Sequence, residues 1–110
     1  MQETYVSKLL KSAETFLARW QFSDAELLEL TISHKQLCIL LKRDGLKGNL
    51  LLICIDPLNI KSPIRWPKSN LRVTTMKLAE HSEHVFRIAD DSAGVEVICG
   101  GFEVKENVRI

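Results

Sequence analysis

The sequence predicts an α+β domain, an N-terminal helix packed on a curved antiparallel β-meander of six to seven strands. Three observations carry this. Apolar residues recur at helical spacing up to Trp20 and at every second position beyond it. The alternating segments are short and divided by turn-forming residues. Strands do not alternate with helices, and no Gly-rich strand-to-helix turn occurs, which argues against doubly wound nucleotide-binding folds.

The helix is expected over the first twenty residues. Tyr5, Val6, Leu9, Leu10, Ala13, Phe16, Leu17 and Trp20 share one face, and Ser7, Lys8, Lys11, Ser12 and Glu14 the other. In Glu26 to Ser33 the residues Leu28, Leu30 and Ile32 fall on one side of a strand. In Gln36 to Lys42 Leu37, Ile39 and Leu41 do the same, with His34 and Lys35 as a tight connection. Arg43-Asp44-Gly45 supplies the next turn. Leu50 to Ile55 is apolar on both faces, as befits a central strand.

Asp56 to Asn70, with Pro57, Pro63 and Pro67, reads as an irregular excursion. Strand character returns at Leu71, Val73 and Thr75 and fades through Lys77 to Glu83, where a short helical turn is expected. Val85 to Ala89 and Val95 to Cys99 form a hairpin about a turn at Asp90 to Gly94, and Gly100-Gly101 admits a bulge or bend. From Phe102 to Ile110 the alternation is clean except for Glu106, which falls among the apolar residues.

Composition bounds the class. The 110 residues are 45% apolar and 26% charged, with five Gly and three Pro, which fits one folded domain over 1–110 and excludes a disordered or collagen-like chain. The longest apolar run, Leu50 to Ile55, is far too short to cross a bilayer, so no membrane partner is expected. Glu3, Lys8, Lys11 and Glu14 interrupt any secretion-signal core. Cys38, Cys54 and Cys99 each sit in an apolar stretch without Cys-x-x-Cys spacing, and read as buried thiols of a cytoplasmic protein.

No catalytic constellation is evident, so the chain is not expected to be an enzyme or to need a cofactor. His81 and His84 have metal-ligand spacing but no third ligand nearby in sequence, and nothing places either beside the Cys99 thiol. The charge pattern says more than the net charge of +1. Pro57 to Ala79 holds five basic residues and no acidic one, whereas Glu80 to Glu106 holds seven acidic residues and two basic ones. Lys61, Arg65, Lys68 and Arg72 around Trp66 offer cations for phosphate and a ring for base stacking, the chemistry of a single-stranded nucleic-acid binder. The acidic stretch suits a basic protein partner.

Two segments carry a family resemblance. Trp20-Gln21-Phe22-Ser23-Asp24-Ala25-Glu26-Leu27-Leu28-Glu29-Leu30 resembles the Trp-x-x-Phe-His-Asp-Ala-Glu signature of small bacterial immunity-type proteins found with polymorphic toxins. Here it is one residue shorter between Trp and Phe, with Ser23 in place of His. Val95-Glu96-Val97-Ile98-Cys99-Gly100-Gly101-Phe102-Glu103-Val104 is similar to the closing strands of the same group. The resemblance implies a non-enzymatic module that neutralises a cognate toxin by masking its active site. Toxins that attack nucleic acid tend to be basic, so Asp24, Glu26, Asp90 and Asp91 are the expected contact residues. The alternatives are the nucleic-acid binder and a self-associating module pairing through a C-terminal edge strand, Phe102 to Ile110.

Overall fold

The computed structural model describes residues 2–31, 36–46, 48–77 and 84–108. The helical spacing yields helix α1 (Gln2–Arg19), which buries Ala13 and Leu17, with Trp20 just beyond its end, and half-buries Val6, Leu9, Leu10 and Phe16. Its C-terminal carbonyls are capped from outside. The Arg43 guanidinium donates to the Arg19 and Gln21 carbonyls at 3.0 and 3.1 Å, satisfying acceptors that a helix end leaves open.

The seven strands are β1 (Asp24–Thr31), β2 (Gln36–Lys42), β3 (Asn49–Lys61), β4 (Arg65–Trp66), β5 (Arg72–Lys77), β6 (His84–Asp90) and β7 (Val95–Val108). They form one antiparallel sheet in the order β4-β1-β2-β3-β7-β6-β5, curled into a half-barrel around the helix. Two local meanders, β1–β2–β3 and β5–β6–β7, are joined by the long β3–β7 ladder. The two edge strands, β4 and β5, are consecutive in the chain, so residues 67–71 run between the two edges.

The helix side of the sheet carries the core. Leu37, Ile39 and Leu41 of β2 pack there with Leu50, Leu52 and Cys54 of β3, Phe86 and Ile88 of β6, and Val95, Val97, Cys99 and Phe102 of β7. Phe86 and Phe102 meet edge to face at 5.0 Å. At the β2–β3 connection, Gly45 (φ 89°) takes the left-handed turn expected of it. Gly48 meets a tighter demand, because a Cβ there would lie 2.7 Å from the Asn107 Cα at the far end of β7.

Several expectations are corrected. Asp56 to Lys61 is strand, not loop: β3 continues through Pro57, where its register with β2 has already ended at Ile55 and only β7 is its described partner. The ladder shifts register between Pro57 and Asn59, so the irregularity expected at Gly100-Gly101 is taken up on the opposite strand. In β1 the register shifts between Leu27 and Glu29. Ala25 and Leu27 therefore face the core while Leu28 is exposed, contrary to the simple alternation. Phe102 to Val108 belongs to the internal strand β7, paired with β3, rather than to an outer strand of the sheet. The connection at His34-Lys35 and the helical turn expected before Glu83 lie outside the described residues.

Candidate functional site

The first feature the fold builds is a buried carboxylate. Asp90 ends β6 on the same side as Phe86 and Ile88, and only 1% of it is exposed. Its Oδ2 accepts from the Trp66 indole at 3.0 Å and the Asn70 backbone N–H at 2.8 Å, and its Oδ1 from the Ser92 hydroxyl at 2.7 Å. Burial pushes this carboxyl upward, but those donors outweigh it and hold it below the usual aspartate range. The site ties the connector between the sheet edges to the β6–β7 turn. Ser69 adds a second tie: its N–H donates to the Ser23 carbonyl at 2.9 Å, and its carbonyl accepts from Phe22 N–H at 2.7 Å.

This arrangement brings members of the expected acidic contact set against members of the basic segment. Asp90 of the acidic set holds Trp66 of the basic set, and Glu26 faces Arg65 at 3.8 Å across the β1–β4 pair. Trp66 is 5% exposed, so its ring is not open to a stacking base. Lys61, Lys68 and Arg72 are exposed. Asp91 is exposed and paired with Arg87 at 3.5 Å, a guanidinium whose own pKa is raised first by its 2.7 Å bond to Glu96.

Trp66 pairs with Ala25 on the ladder and reaches Asp90 with its indole, so the start of β1 and the β6–β7 turn share one end of the molecule. At that end the segment Trp20 to Glu26 alternates between anchoring and presentation. Trp20, Ser23 and Ala25 are buried, whereas Phe22 is 61% exposed and Asp24 is exposed. Phe22 also has φ 66°, a left-handed conformation that side-chain-bearing residues adopt at an energetic cost. Of the two aromatics Trp20 and Phe22, only Trp20 seals the helix against the sheet, its indole donating to Glu106 at 2.8 Å beside Arg19. Both inward carboxylates had a sequence signal. Asp90 continues the apolar row Phe86, Ile88, and Glu106 continues Phe102, Val104.

Two of the three cysteines are buried packing groups, whereas Cys38, expected to be buried, is only partly so. Cys54 and Cys99 are fully buried and hydrogen-bonded to each other. The bond to Cys99, with burial, pushes the Cys54 thiol far up, while Cys99 is lowered by accepting from Cys54 and from the Gly101 and Ile55 backbone. Among the described residues no group of three His, Cys, Asp or Glu side chains is placed to hold a metal ion, and no helix is long and apolar enough to cross a membrane. Compared with protein-family models, with curated proteins and with solved structures, the chain matches none.

Proposed function

We propose that the protein is a non-enzymatic binding module of the immunity type, which neutralises a protein toxin by covering its active site. The observation that carries this reading is Phe22. A large aromatic side chain is held in water on a left-handed backbone that Gly or Asn would adopt more easily, so a partner that covers the ring gains apolar burial that folding leaves unused. Its neighbours Trp20, Ser23 and Ala25 are buried, which makes the mount rigid. An exposed aromatic beside the exposed carboxylate of Asp24 is the chemistry of an interface hot spot facing a basic partner.

In this reading Asp24 and Asp91 supply surface charge, Glu26 contributes through its pair with Arg65, and Asp90 supports the frame from inside. The test is titration with a co-encoded toxin at two salt concentrations. Phe22→Ala is expected to weaken binding at least tenfold, and Asp24→Asn to reduce both affinity and its salt dependence. Wild-type affinity for Phe22→Ala would rule the reading out.

A further inference from the structure

A second surface lies on the helix side of the sheet's other edge. β5 is the last strand of the sheet, with β6 its only described partner. A groove of about 390 Å³ runs along it against α1, with Leu17, Ala18, Leu71 and Val73 among its walls. The chain already uses the start of this edge: Phe22 and Ser23 exchange two backbone hydrogen bonds with Ser69, and the Gln21 amide donates to the Asn70 side chain at 3.1 Å. Past Asn70, no described residue pairs with the same edge beside the groove.

The charges along the groove define what fits. From the Gln21–Asn70 contact the helix runs back to Glu14, a rise of about 10 Å, and β5 runs forward to Val73, also about 10 Å. Glu14 therefore stands across the groove from Val73 and Thr74, within reach of a long side chain placed opposite Thr75. Arg72, between the core-facing Leu71 and Val73, projects on the outer face. Among the described residues neither Glu14 nor Arg72 forms an ion pair.

We propose that this edge receives an extended segment of a partner protein as an eighth strand, antiparallel to β5. Backbone hydrogen bonds give the docking, and alternate side chains give its specificity. The segment carries apolar residues opposite Leu71 and Val73, an acidic residue opposite Arg72 and, nearer its N-terminus, a basic residue opposite Thr75 that reaches Glu14. This site is separate from Phe22 and Asp24 and does not depend on the partner being a toxin.

The probe is the capped peptide Thr-Val-Lys-Thr-Val-Glu-Val, titrated into isotope-labelled protein and followed by amide chemical shifts. Shifts are expected at Leu71 to Lys77 and Glu14 to Gln21. Exchanging Lys and Glu in the peptide should weaken binding about tenfold, since both charge contacts become repulsive. Ala18→Arg, which fills the groove from an exposed helix position and leaves the core untouched, should abolish the shifts. No shifts at millimolar peptide, shifts confined to other strands, or equal binding by Ala18→Arg would overturn the proposal. So would concentration-dependent broadening of the β5 amides without peptide, which would make a second copy of the chain the occupant.

Discussion

Two tryptophans in this protein donate to two carboxylates, and the environments of the pairs make them different devices. Trp66 and Asp90 meet inside the protein, where the carboxylate has three donors, the Trp66 indole, the Asn70 N–H and the Ser92 hydroxyl, and almost no contact with water. Trp20 and Glu106 meet at the rim, where Glu106 also takes the half-exposed Arg19 at 3.1 Å. The inner pair fixes the connector between the two sheet edges; the outer pair clips the helix end to β7. The same donor and acceptor types thus give a lock where water is excluded and a clasp where it is not, because a buried partner left unpaired has no solvent to turn to.

The largest expected effect comes from opening the lock. Asp90→Ala leaves the Trp66, Asn70 and Ser92 donors without their acceptor and should lower stability by about 3 kcal/mol in chemical denaturation. Its folded carboxyl titrates below its unfolded value, so its contribution is full above about pH 4 and is lost as pH falls through the folded value. Asp90→Asn should accordingly flatten the acid limb of the stability profile. Next are the indoles: Trp66→Phe should lose about 2 kcal/mol and Trp20→Phe about 1 kcal/mol, because Glu106 keeps Arg19 and water while Asp90 loses a buried donor. Equal losses would erase the distinction. Arg19→Ala should change stability by about 0.5 kcal/mol or less, and less still in high salt.

The smallest effect on folding separates the frame from the surface it carries. Phe22→Gly removes an exposed ring and relieves a positive φ, so thermal denaturation should show stability unchanged or raised by up to about 1 kcal/mol. A clear loss of stability would make Phe22 part of the frame.

The helix and most strands could be read directly, because local periodicity records which side of an element meets the core. Leu37, Ile39 and Leu41 fall where alternation puts them. What failed was non-local. Nothing near Pro57 in sequence says that β7 will pair with it, and the shift at Leu28 depends on the partner strand. The charged segments were visible, but the pairing of Glu26 with Arg65 is set by the placement of β4 beside β1. The candidate surface was half readable: the charge of Asp24 places it in water, whereas no local pattern places the Phe22 ring there. The acidity of Asp90 predicts a surface position and its place in the row with Phe86 and Ile88 predicts burial; the row prevails because three donors satisfy the carboxylate.

The β3–β7 ladder also has a kinetic meaning. β1 to β3 and β5 to β7 each pair with near neighbours along the chain, whereas β3 and β7 bring distant stretches together. Closing such a loop before its contacts form is the entropically slow event in β-sheet assembly. Pairing of β3 with β7 is therefore the step expected to limit folding, and Gly48, lying under Asn107 where no side chain fits, marks where that ladder must stop.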